Sequence, residues 1–166
     1  MESEVKRKWR KSSITLVPII LLGLILFVSG AGKLPGQVEF MDVLLGSFWG
    51  PTMAFLISEL LPWAELVLGV ALLLWVYPRI VAILSLPLIL GFIASNGAAL
   101  GAGMEEFPEC GYCFGVLEKI FGAVSPVQAM GIDIALLVFA IIIIVCHPGG
   151  FVSFRPWFLK FFKRGH

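Results

Sequence analysis

The chain has 166 residues, of which 59% are hydrophobic and 14% charged, and its mean hydropathy is +0.99. A soluble domain is roughly 45–50% apolar and about 25% charged, so these values exclude a disordered chain, a soluble enzyme domain and a nucleic-acid binder with a basic face. What remains is a polytopic membrane protein of one domain, surrounded by lipid and without a nucleic-acid partner.

Residues 1–12 form a basic tail with Lys6, Arg7, Lys8, Arg10 and Lys11. A spanning helix needs about 20 mostly apolar residues, and four stretches supply them, at about 13–34, 52–77, 80–100 and 127–146. Together they make residues 13–147 an all-α membrane domain, a four-transmembrane-helix bundle, because backbone groups in lipid must pair internally. The apolar stretch leading into the second span starts near Phe48 and is too long for one crossing. The part before Pro62 is therefore expected to tilt, kink or lie in the interface, since proline removes a helix hydrogen bond. The first span resembles a signal peptide in its basic start, with Ser29-Gly30-Ala31-Gly32 as a weak cleavage site, but its apolar region is long, and it is read as retained.

Orientation follows from lysine and arginine. The N-terminal tail, Arg79 in the short link between spans two and three, and Arg155, Lys160, Lys163 and Arg164 hold ten of the 12 basic residues. With four spans these all fall on one side. Both termini are expected in the cytoplasm of a cell with the protein in its inner (plasma) membrane, and the links 35–51 and 101–126 outside. Residues 148–166 form a second basic tail rich in aromatics, suited to an anionic membrane surface or to docking on a partner subunit.

The outer link 101–126 holds Cys110-Gly111-Tyr112-Cys113. A pair at this spacing either exchanges with a partner's disulfide or closes a permanent staple. A zinc site would need about four ligands, and this link has no histidine and no second cysteine pair, so no metal is expected. Phe114, Leu117, Ile120, Phe121 and Val124 follow at helical spacing and predict a short amphipathic helix on the outer surface. Cys146, alone near the other side, reads as a packing residue.

Charged groups inside spans are costly and usually face the bundle interior. Counting at 1.5 Å per residue puts Glu65 about 18 Å, Asp133 about 21 Å, Asn96 about 26 Å and Lys33 about 28 Å above the cytoplasmic side. Lys33 can reach down on its flexible stem and sit between Glu65 and Asp133. These four side chains form either a polar pocket that binds a quinone headgroup or relays protons, or an ion-pair network that fixes helix order. Glu59 is expected nearer the outer interface. Gly23, Gly30, Gly32, Gly69 and Gly91 are expected to let helices approach closely.

The motifs Ser29-Gly-Ala-Gly-Lys33-Leu34, Glu65-Leu-Val-Leu-Gly69, Cys110-Gly-Tyr-Cys-Phe-Gly115 and Asp133-Ile-Ala-Leu-Leu, taken in order, resemble the DoxX-like group of four-helix membrane proteins and, within it, the MauE-type branch. The resemblance covers roughly Ile14 to His147. It implies a redox-associated role: disulfide formation or thiol supply for an extracytoplasmic partner protein, with quinone linkage in other members of the group. Members of this branch often carry Cys-Gly-Cys-Phe-Gly, to which Tyr112 adds one residue here. The alternative is a non-catalytic accessory subunit of a larger respiratory or photosynthetic membrane complex. Bundles that pass electrons from thiols to quinone use two cysteine pairs, and this chain has one, so a second redox centre must come from elsewhere.

Overall fold

Four apolar runs too long for a strand and too hydrophobic for water become helices, and the computed structural model describes them in residues 2–45, 49–103 and 125–147. Helix α1 is Glu2–Lys33, followed by a 3-10 turn at Leu34–Gly36 and the short helix α2, Gln37–Leu45. Then come α3, Gly50–Leu73, α4, Pro78–Gly101, and α5, Pro126–Cys146. Helices α1, α3, α4 and α5 each carry an apolar stretch long enough to cross a membrane. No strand occurs among the described residues. The amphipathic helix expected over 114–124, both cysteines of the pair and the C-terminal tail lie outside the described residues.

The four long helices pack in a ring: α1 against α3, α3 against α4, α4 against α5, and α5 back against α1. Ile19, Leu22 and Leu26 of α1 meet Leu72 of α3, Ile89 of α4 and Leu136 and Ile143 of α5 in the centre. Large apolar side chains also cover the outside, among them Leu60, Trp63 and Val67 of α3, Leu84 and Leu90 of α4, and Ile134, Val138 and Ile141 of α5. A protein that is apolar inside and out has its helices solvated by lipid.

Sequence chemistry sets the ends. Pro78 and Pro126 stand in the first turns of α4 and α5, where a missing N–H costs nothing. Ser125 caps α5: its Oγ accepts from the Gln128 backbone N–H at 3.3 Å, and Gln128 Oε1 accepts from the Ser125 N–H at 3.2 Å. Gly103, in the left-handed region at φ +73°, lies just past the end of α4. Between α3 and α4 the chain turns within residues 74–77, and there Trp75 and Tyr77 themselves take positive φ, 58° and 45°.

Helix α3 does not break at Pro62; it runs as one helix with that proline inside and buried. Gly30 near the end of α1 packs beside Pro62 and Glu65, so the α3 turns before Pro62 run on past the end of α1. Helix α2 covers this stretch, with Phe40 and Leu44 packed around Ala54 and against Ile57 and Leu61. The link after span one is therefore itself largely helical. The basic segment ahead of span one likewise continues the helix, since α1 begins at Glu2.

Candidate functional site

The C-terminal ends of α1 and α4, the N-terminal ends of α3 and α5, and all of α2 share one end of the bundle. Four polar side chains are buried beneath it: Lys33 at 2% exposure, Glu65 at 0%, Asn96 at 7% and Asp133 at 2%. These are the four residues singled out from the sequence, and one comes from each long helix.

Register along α1 and α3 decides which of them meet. A Cβ on Gly30 would stand 2.6 Å from the Pro62 carbonyl and 2.7 Å from the Leu66 nitrogen. One on Gly69 would stand 2.6 Å from the Phe27 nitrogen. All three distances are shorter than real contacts, so only hydrogen fits and the two backbones touch. This contact holds Lys33 within reach of α3, and its Nζ donates to Glu65 Oε1 at 2.6 Å. The ammonium also stands 4.6 Å from the centre of the Phe92 ring and 5.3 Å from that of Phe40, within cation–π range.

Lys33 does not sit between the two carboxylates as bridging partner of both. It bonds to Glu65, while Asp133 is held by Asn96, whose Nδ2 donates to Asp133 Oδ2 at 2.6 Å. The fields of Lys33 and Glu65 nevertheless both reach Asp133, so the two pairs form one electrostatic unit. Ser29, one turn before Lys33, lies close enough to act on the Glu65 carboxylate. Its hydroxyl makes no hydrogen bond of ordinary geometry to the outer oxygen, however, and Glu65 Oε2 is buried without a donor.

Phe40, Phe92 and Ser29 were not legible as site residues. Aromatic residues are common in such a chain, and only the folded register shows which two flank the lysine. At the same end, Trp49 Nε1 donates to Ser95 Oγ at 3.1 Å, tying the start of α3 to α4 next to Asn96. Glu59 is exposed on α3, apart from the cluster. Of the glycines expected at close contacts, Gly23, Gly30 and Gly69 are at such contacts, whereas Gly91 faces open space and needs no small residue.

At the opposite end Trp75 meets the His147 ring edge-on at 6.4 Å between centroids. Burial, and then the charge of Arg79, push the His147 imidazole below its ordinary pKa, favouring the neutral form. Cys146 beside it is a half-buried free thiol. No cluster of three or more metal-ligating side chains occurs among the described residues.

The buried polar unit lies next to the helix ends that residues 104–124 connect, the segment containing Cys110 and Cys113. Residues 11–149 match the family described as methylamine utilisation protein MauE. The chain belongs to the MauE family. The match covers all four spans and the cysteine-bearing link, and it gives the wider DoxX-like grouping no support. No curated protein and no solved structure matches the chain. The protein is thus a multi-pass membrane protein of the MauE family.

Proposed function

We propose that this MauE-family protein exchanges thiols and disulfides with an extracytoplasmic partner protein through Cys110 and Cys113. The observation that carries the reading is the Cys-Gly-Tyr-Cys motif in the link that joins α4 to α5, within a chain of this family. In the exchange one thiolate attacks a sulfur of the partner's disulfide and displaces the other sulfur as a thiolate. The second cysteine then resolves the mixed disulfide, so that the partner gains two electrons and two protons and Cys110–Cys113 becomes oxidised. The reverse direction oxidises the partner. Resetting the pair needs a second redox centre. In the direction that oxidises the partner the pair is left as two thiols, and we assign its re-oxidation to a quinone, which takes up those two electrons and two protons to become a quinol, with Lys33, Glu65, Asn96 and Asp133 as the residues serving its headgroup. The crowding of basic residues into the two tails and the α3–α4 turn supports an inner-membrane orientation with both termini cytoplasmic.

The test is trapping in intact cells. A Cys113→Ser variant should accumulate a reductant-sensitive mixed disulfide through Cys110, or the Cys110→Ser variant one through Cys113, and both should lose function. Full function of both variants with no trapped partner rules the exchange out, and a reduction potential below about −300 mV marks the pair as a staple.

One observation favours a second reading, the accessory subunit of a larger complex. Lys33 pairs with Glu65 and Asn96 with Asp133 inside the bundle, as in a structural network. Co-purification with large subunits in mild detergent, with no exchange activity by the isolated chain, would select it.

A further inference from the structure

The polar unit contains two carboxylates and one ammonium, all nearly without exposure. An ionised carboxylate deep in a medium of low dielectric is costly unless a cation or several donors compensate it, and an uncompensated one takes up a proton. The two carboxylates are compensated unequally. Glu65 bonds directly to the Lys33 ammonium at 2.6 Å, and the Phe40 and Phe92 rings lie within cation–π range of the same nitrogen. Asp133 receives a neutral amide donor from Asn96. The charged group reaching it from α1 is Lys33, already bonded elsewhere, and from α3 it is Glu65, of like sign; its neighbour on α4 is Asn96. An amide N–H donating to one oxygen leaves the other free to carry hydrogen. Independently of this count, Glu65 Oε2 is fully buried and accepts no hydrogen bond of ordinary geometry, although the Ser29 hydroxyl is near, so the acceptor side of the cluster has room for one more hydrogen.

We propose that the cluster is a proton-binding site: Asp133 holds a proton, directed toward Glu65 Oε2 directly or through one water, and exchanges it with the aqueous phase. Lys33 and Glu65 stay ionised, Asp133 is the neutral acid, and the unit as a whole is uncharged. Binding forms one O–H bond on Asp133 and moves no electrons. The site is built from the residues proposed above to serve the quinone headgroup, but proton binding itself requires neither cysteine and no quinone.

The chain has two aspartates, Asp42 and Asp133, which allows an assignment by isotope in the unaltered sequence. Full-length protein in liposomes, with carbon-13 at the aspartate side-chain carboxyl, is measured by infrared spectroscopy at neutral pH. The expected result is a protonated-carboxyl C=O band that moves to lower frequency with the label. It persists in Asp42→Asn and Glu65→Gln, is lost in Asp133→Asn, and shifts on transfer to deuterated water. A spectrum without a label-sensitive band, or a band that survives Asp133→Asn, overturns the assignment; a band indifferent to deuterated water overturns the exchange. Should Asp133→Asn or Glu65→Gln fail to fold, the labelled wild-type chain and Asp42→Asn decide the matter alone.

Discussion

The α1–α3 and α4–α5 seams bury one carboxylate each at the same end of the bundle, by opposite means. On α1–α3 the backbones touch at Gly30 and Gly69, and the carboxylate of Glu65 is met by an ammonium. On α4–α5 a Cβ on Gly97 would meet only the tip of Met130 at 3.5 Å, so the backbones do not touch there, and the carboxyl of Asp133 is met by a neutral amide. The difference teaches that close approach and full charge go together here. Both bonds are 2.6 Å long, so what differs is the charge of the donor and the backbone contact beside it.

Breaking the ion pair separates the seams most sharply. Lys33→Met alone leaves the buried Glu65 carboxyl without its cation and should destabilise the bundle by about 3–5 kcal/mol, and Lys33→Met with Glu65→Met should recover most of that loss. Thermal unfolding in detergent micelles checks both. An equal loss in single and double variants would show that the pair is not the source. Next come the glycines. Gly30→Ala and Gly69→Ala each force backbones apart and should cost about 1–3 kcal/mol. Gly91→Ala should be neutral or stabilising by up to about 1 kcal/mol, since alanine is the better helix former. If Gly91→Ala proves as harmful as Gly69→Ala in the same assay, the contrast between the two positions fails.

On the α4–α5 seam, Asn96→Ala removes the donor to Asp133 and should cost about 1–3 kcal/mol. Asn96→Asp, which replaces the donor by a second carboxyl, should make stability fall more steeply with rising pH than in Asn96→Ala. The smallest effect belongs to the far end of the bundle. His147 is held neutral by burial and by Arg79, so its folded-state pKa lies below the unfolded value of about 6.5. The unfolded chain then binds the proton more readily. The stabilisation is complete above about pH 6.5 and declines as pH falls from there toward the folded value. Unfolding scans across that window should show the decline in wild type and its reduction in His147→Gln.

The four crossings were legible because apolar length alone demands them, and so were the residues of the polar unit, since a charge inside a span has few places to go. Partner choice was not. Counting rise per residue ranks depths but carries no rotation about the helix axis, so Lys33 looked equally near Glu65 and Asp133. Nor does a glycine in the sequence say whether a backbone lies opposite it: Gly69 and Gly91 read alike and differ entirely in surroundings. Helix α2 escaped notice because one i, i+4 pair, Phe40 and Leu44, is a weak signal among turn-forming neighbours. Its packing surface is the overhang of α3, which exists only after α1 and α3 have docked.

The turn at residues 74–77 leaves almost no chain between α3 and α4. Neither helix can enter the bilayer and wait for the other, because so short a tether cannot hold one of them in water while its neighbour is buried. During biogenesis the two must partition from the translocation machinery as a single hairpin. In the folded bundle the edge-on contact of Trp75 with His147 ties the end of the last helix to that hairpin.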